Sequence, residues 1–374
     1  MLWPSSPLHA LHIGPNRLHT LGADAHVGKV WRGYPHSSGA VQTITAWCIS
    51  PILEEHRDSS QEETVQTHDC LYAGLCGLIL WCAAGCVQPI APEVLLPRLQ
   101  QRDPARIAVT FVALGDMGDG GSAQTQVAEA MYSVCQRDGC DFVLGLGDNI
   151  YPHSVRSVHD PAFQDKFEHP YARFLSLDFW MILGNHDWKH LVTGAQAQVD
   201  YTLHSDHWRL PDVHYAIPFL PSWLHLYGVD TSLLEAGIGV YQLQAAQVAL
   251  CGQPGWRLLF GHYPTRSTGA EGQRVSGFVT GALEYLIRAC GIHVYFAGHD
   301  HHQAHLDLGS YQEIIEGAGG AEISSLRVGD SQQRFGQATH GFAWVRVTAE
   351  RLTIRLYDVQ QTVLYMWETS SQAL

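Results

Sequence analysis

An α/β fold of two sheets packed face to face, with helices on the outer sides, is predicted by three features of the chain. From residue 106 onward, apolar runs of strand length alternate with amphipathic helical stretches. Beyond residue 340 the helices stop, and three closely spaced strand patterns follow. Five short polar signatures each lie just after an apolar run, at the carboxyl end of a strand, where the loops of an α/β sheet converge on ligands.

The elements read in order as follows. Ile107 opens a continuous β-branched and aromatic run, 107–114, with the character of a buried strand. Ser122 caps a helical pattern through Val127, Met131 and Val134 that ends near Gly139. Strands are expected at 142–146 and 179–183, with a helix at 161–174 between them. Further strands at 224–229, 256–260, 293–297 and 311–315 are interleaved with helices at 243–250 and 281–289. The tail strands are 341–347, 351–358 and 362–367. No repeat, charge block or low-complexity run interrupts this body, so one domain over 105–374 is the economical reading.

Hydrophobic residues make up 46% of the 374, ample for a sizeable core. The formal charge is −14, and the 22 Lys and Arg form no run, which argues against a nucleic-acid partner. Of nine Cys, five precede the first signature, and none shows the C-x2-C spacing of a zinc ribbon. Cys251 and Cys290 each fall at a helix end, where a disulfide is open to them in an oxidising compartment; buried free thiols are the preferred reading.

Residues 1–64 are rich in His, Pro, Gly and Ser without periodicity, and are expected to be disordered or absent from the mature protein. Segment 65–104 reads as a leader and linker. Its stretch 75–86 has a short apolar core followed by small residues, in the manner of a secretory signal. Ala83-Ala84-Gly85-Cys86 resembles a bacterial lipoprotein processing site, although no basic residue precedes it closely. Export ranks ahead of membrane attachment through 70–92, for which about 20 apolar residues suffice. An extracytoplasmic location is expected.

The signatures are Gly115-Asp116, Gly147-Asp148-Asn149-Ile150-Tyr151, Gly184-Asn185-His186-Asp187, Gly261-His262-Tyr263-Pro264 and Gly298-His299-Asp300-His301. Asp116 and Asp148 are hard anionic donors, Tyr151 supplies a phenol, Asn185 a neutral oxygen, and His262, His299 and His301 nitrogens. Any one of these alone is more often a cap, turn or core residue. Their joint occurrence in this order makes them a ligand set for two metal ions, which stabilise attacking and leaving oxygens in phosphoryl displacement. Two carboxylates, a phenolate and a hydroxide nearly neutralise a trivalent–divalent pair, leaving roughly one positive charge for an anionic substrate. A rival turn, Gly118 to Ala123, has the G-x-G-x-x-A form of a dinucleotide site but leaves the His-rich signatures unexplained.

In this order the signatures resemble those of the purple acid phosphatases, specifically the tartrate-resistant type, within the calcineurin-like metallophosphoesterases. The similarity runs over about residues 107–368. It implies a four-layer α/β/β/α sandwich. It also implies a ferric site from Asp116, Asp148, Tyr151 and His301, and a divalent site (Fe2+, Zn2+ or Mn2+) from Asp148, Asn185, His262 and His299. His186 would contact substrate and protonate the leaving group. The implied activity is hydrolysis of small-molecule or protein phosphate monoesters by a metal-bound hydroxide. Two departures stand out: Met117 where the family usually has Trp, and a short connection, 232–240, where animal members carry a longer loop. The alternatives are a phosphodiesterase or nucleotidase of the wider superfamily, and a non-catalytic metal-binding surface protein.

Overall fold

The computed structural model describes residues 87–371, apart from 100–102, 104, 175, 270–274 and 328. The expectations for residues 1–64 and for the secretory or lipoprotein signal at 75–86 lie outside the described residues. Within the expected leader and linker, residues 87–99 lie against the body: α1 (Pro92–Leu95) buries Leu95, and Ile90 N–H donates to Pro211 O at 2.8 Å.

The body then alternates. In chain order come β1 (Ala108–Leu114), α2 (Ser122–Asp138), β2 (Phe142–Gly145), β3 (Asp178–Met181), α3 (Leu191–Tyr201), β4 (Trp208–Arg209), β5 (Tyr215–Ala216) and β6 (Leu224–Gly228). They are followed by α4 (Thr231–Glu235), α5 (Tyr241–Leu250), β7 (Trp256–Phe260), α6 (Gly277–Cys290), β8 (Val294–Ala297), β9 (Gln303–Asp307) and β10 (Gln312–Glu316). The tail holds β11 (Gln333–Gln337), β12 (Gly341–Thr348), β13 (Arg351–Asp358) and β14 (Val363–Ser370).

These strands form two mixed sheets, ordered β14-β13-β12-β1-β2-β3-β4 and β11-β9-β10-β8-β7-β6-β5. Strands β1 to β4 run parallel and carry the antiparallel tail β12–β14 on one side; β6, β7, β8 and β10 are parallel in the second sheet. The sheets meet through an apolar core in which Phe111 and Phe296 stack edge to face at 5.8 Å. Along β7 and β8, Leu258, Phe260, Val294 and Phe296 face this core, while Leu259 and Tyr295 turn to α5 and α6 on the other side. Burial on both faces is why β8 reads as an unbroken apolar run, and β7 as one broken by Arg257, rather than as alternating strands. The expected two-sheet sandwich with outer helices is the observed fold.

Three local expectations are corrected. Gly121, not Ser122, is the N-cap of α2, and Ser122 is its first residue. The helix expected at 161–174 is regular only to a five-residue π turn, Gln164–Glu168, because Pro170 lacks an N–H and disfavours helix at the residue before it. The cysteines of the body are bonded, not free: Cys135 to Cys140 at the end of α2, and Cys251 to Cys290. The second pair joins the ends of α5 and α6, brought together on one sheet face, which linear spacing does not reveal. Closing a loop of separation 39 is expected to contribute about 4 kcal/mol by chain entropy. Replacing both Cys251 and Cys290 with Ser should lower the denaturant midpoint accordingly, and an unchanged midpoint would contradict the bond.

Two buried carboxyls make stability pH-dependent. Burial raises Glu313 from 4.5 to about 8, despite hydrogen bonds from Thr265, and raises Asp230 from 3.8 to about 7. Both folded values lie above the unfolded ones, so the folded state binds more protons between about pH 4 and 8. Their contribution is complete below the unfolded pKa and is lost as pH rises through 7 to 8. Glu313→Gln should therefore gain on wild type in melting temperature between pH 5 and 8; a constant difference would refute the assignment.

Candidate metal centre

Each signature occupies a loop at the carboxyl end of a parallel strand. Asp116 follows β1, Asp148 and Tyr151 follow β2, Asn185 and His186 follow β3, His262 follows β7, and His299 and His301 follow β8. These are interior strands of the two sheets, so the loops meet along one edge of the sandwich.

Tyr151 Oη lies 2.8 Å from Asp116 Oδ1, 2.9 Å from Asp148 Oδ2 and 3.1 Å from His301 Nε2. His301 Nε2 is itself 3.3 Å from Asp116 Oδ1. A second group surrounds His262 Nε2, which is 3.5 Å from Asp148 Oδ2, 3.1 Å from Asn185 Oδ1 and 3.3 Å from His299 Nδ1. Asp148 Oδ2 belongs to both groups. All seven predicted ligand residues are thus brought together, with His299 and His301 fanned to opposite groups by their loop. His186 stands at the margin: its side chain is 31% exposed and its Nε2 is 4.0 Å from Asp148 Oδ2.

The backbone is bent to achieve this. Asp116, Asp148 and His299 adopt φ of 56°, 51° and 69°, left-handed conformations that cost about 1–3 kcal/mol each in non-glycine residues and cluster at functional sites. Hydrogen bonds hold them: Asp116 N–H donates to Gly147 O at 3.0 Å, and His299 N–H to Asp116 Oδ2 at 2.8 Å. Two signature glycines admit the carboxylates. A Cβ at Gly298 would lie 2.7 Å from Asp116 Oδ2, and one at Gly184 would strike the Asp148 carboxylate.

Sequence reasoning missed the residue that joins two of these loops. Asp187, fully buried, accepts from Gly184 N–H (2.8 Å), Asn149 N–H (3.0 Å), Ile150 N–H (3.3 Å) and Gln198 Nε2 (2.9 Å). It clips the loop of Asp148 to the loop of Asn185. The signal was its place inside the third signature, since an Asp is almost never fully buried without such partners. Burial, then the Asp148 charge, lifts its pKa to about 7.

The donor chemistry fits metal cations. His262 Nδ1 donates to Leu146 O at 2.9 Å and His301 Nδ1 to Glu322 O at 2.8 Å. Carbonyls only accept, so Nδ1 carries a proton in both rings and each neutral ring would turn its Nε2 lone pair inward, the arrangement that orients metal-binding imidazoles. The electrostatics agree. Burial lowers the His262 pKa, but Asp148 and Asp116 outweigh it and lift it to about 10; His301 rises likewise to about 9 against burial, through Asp116. Burial and then His262 depress His299 to about 2, and burial with Asp116 and Asp148 pushes the Tyr151 phenol well above 10. Such a field attracts positive charge, as protons or as metal ions. Among the described His, Cys, Asp and Glu residues, Asp116, Asp148 and His262 form a group whose ligand atoms all lie within 4.8 Å of one another.

A two-sheet sandwich with buried oxygen and nitrogen donors at converging strand ends defines a metal-dependent phosphoesterase. The chain belongs to the calcineurin-like phosphoesterase family, whose profile matches residues 109–303. It is similar to purple acid phosphatase 3 of Arabidopsis thaliana, with 29% identity over 309 residues covering 75% of this chain and 82% of that protein. It is equally similar to tartrate-resistant acid phosphatase type 5 of Homo sapiens, with 29% identity over 314 residues covering 74% and 94%. Among solved structures, GAP50, the anchor in the inner membrane complex of Plasmodium, superposes with TM-score 0.62 at 19% identity over 71% of this chain and 90% of that one. The purple acid phosphatase PPD1 of Lupinus luteus superposes with TM-score 0.59 at 14% identity over 72% and 55%. These two likenesses speak for the fold alone. The resemblance to purple acid phosphatases expected from the signatures is borne out.

Proposed function

We propose that this protein hydrolyses phosphate monoesters at a binuclear centre of ferric iron and a divalent ion, Fe2+, Zn2+ or Mn2+. The observation that carries the reading is Asp148 Oδ2, shared between a phenol-bearing group of donors and a group of neutral donors. Asp116, Asp148, Tyr151 and His301 would hold the trivalent ion, whose charge a phenolate matches. Asp148, Asn185, His262 and His299 would hold the divalent one. When bound, the pair supplies the positive charge that activates water and draws electron density from phosphoryl oxygens.

The remaining chemistry belongs to His186. Its Nδ1 donates to Pro152 O at 2.8 Å, and its backbone N–H donates to Asp148 Oδ1 at 2.8 Å, which fixes the ring beside the shared carboxylate. Nε2, 4.0 Å from Asp148 Oδ2 on a side chain 31% exposed, would give a proton to a departing alkoxide. Two disulfides favour an oxidising, extracytoplasmic setting. No helix among the described residues is long and apolar enough to cross a membrane.

Metal content and hydrolysis of an aryl phosphate monoester and diester, measured on one preparation, test this reading. Two metals per chain including iron, with the monoester preferred, are expected. Preference for the diester with zinc or manganese alone would favour the phosphodiesterase reading, and metal without turnover of either ester the non-catalytic one.

A further inference from the structure

The loop after β6 carries no ligand, yet it lies between two that do. Asp230 and Thr231 are both fully buried there. Asp230 Oδ2 accepts from Trp188 Nε1 at 2.8 Å, and Trp188 belongs to the loop of Asn185. Thr231 Oγ1 accepts from two backbone N–H groups of the next loop, His262 at 3.3 Å and Tyr263 at 2.8 Å. One dipeptide therefore grips the carriers of Asn185 and His262, whose donor atoms are 3.1 Å apart.

The grip is itself anchored. Asp230 Oδ1 accepts from Leu233 N–H at 3.0 Å, capping α4. Gln242 of α5 pairs with the Asp230 backbone twice, its Oε1 accepting from Asp230 N–H at 2.7 Å and its Nε2 donating to Asp230 O at 3.0 Å. On the far side of the His262 loop, Tyr295 Oη donates to Tyr263 O at 2.7 Å. A Cβ at Gly261 would lie 2.9 Å from Thr231 Cγ2, so the glycine lets the Thr side chain close on the loop. None of these groups touches the phenol-bearing donors Asp116, Tyr151 or His301 in any hydrogen bond among the described residues.

We infer that Asp230 and Thr231 are positioning residues that set the spacing of Asn185 and His262, and so govern retention of the divalent ion while leaving the tyrosine-bearing half of the site intact. The inference rests on the binuclear reading proposed above. A ligand carried by a loop without its hydrogen-bonded support samples more positions, and loss of such support weakens metal binding by about 10–100-fold.

The test is metal retention by purified holoprotein titrated with a chelator, read by elemental analysis beside the visible absorbance of the iron–phenolate. Wild type should hold two ions. Thr231→Val, which keeps shape but removes the acceptor, should release one divalent ion about 10–100-fold more readily with the visible band unchanged. Thr231→Ser should restore retention. Trp188→Phe, which removes only the donor to Asp230, tests the other arm and guards against misfolding of the Val variant. Wild-type retention in both Thr231→Val and Trp188→Phe would overturn the inference and leave the binuclear reading standing. A wild-type protein that holds no second ion would overturn both.

Discussion

Asp148→Ala should bind fewer than two metal ions per chain and lose turnover on an aryl phosphate by at least ~10^3-fold, about 4 kcal/mol of transition-state stabilisation. Asp148 is the one residue whose side chain stands in both donor groups, 2.9 Å from Tyr151 Oη and 3.5 Å from His262 Nε2. Each other ligand serves one group, so its loss leaves a partial site. Removing Asp148 would withdraw the negative charge that both proposed cations would share, leaving their mutual repulsion uncompensated. It also frees the backbone N–H of His186, which donates to Asp148 Oδ1, and so loosens the proposed proton donor. Elemental analysis and kcat/KM on one preparation check this. Two retained ions with near-normal turnover would show that Asp148 does not bridge.

Tyr151→Phe should yield a colourless protein that keeps its divalent ion. The phenol is held well above its ordinary pKa by burial and by Asp116 and Asp148. Only a strongly positive partner overcomes that penalty and draws off the proton, and a trivalent iron does so where divalent ions do so weakly. A visible band would thus report directly on which ion the first group selects. The ring sits against its neighbours, 4.5 Å from His186 and 6.0 Å from His301 by centroids, so Phe preserves packing and removes only the oxygen. An absorption spectrum with iron content decides: a surviving band would move the chromophore elsewhere, and a wild type without a band would remove the trivalent assignment.

The strands that build the core were readable because both their faces are buried, leaving runs that are mostly apolar; the expected strand 256–260, polar only at Arg257, matches β7 residue for residue. The tail strands were readable for the opposite reason, since short turns separate them and no helical period intervenes. Elements without such a signature escaped. Strands β4 and β5 are two residues each, and β9 follows the last signature directly, so its Gln303 and His305 look like loop polarity. In the fold, His305 is buried, with Nε2 2.9 Å from Gln312 Oε1 and Nδ1 3.0 Å from Tyr365 Oη.

The identity of the seven candidate ligands was legible because each sits where an apolar run ends, and the order of donor types is itself a pattern. Their grouping was not, apart from what a family resemblance implied. Which imidazole faces the phenol and which faces Asn185 depends on a turn at His299 with φ 69° and on the meeting of two sheets. The supporting acids were invisible for the same reason. Asp187, Asp230 and Asp300 look like ordinary turn residues in one dimension, and only burial beside a second loop turns each into a clip. The sequence by itself determined the strand ends, the donor types and the family. The tertiary structure decided distances, shared atoms and the pairing of Cys251 with Cys290, because those depend on segments far apart in the chain being pressed together by a common core.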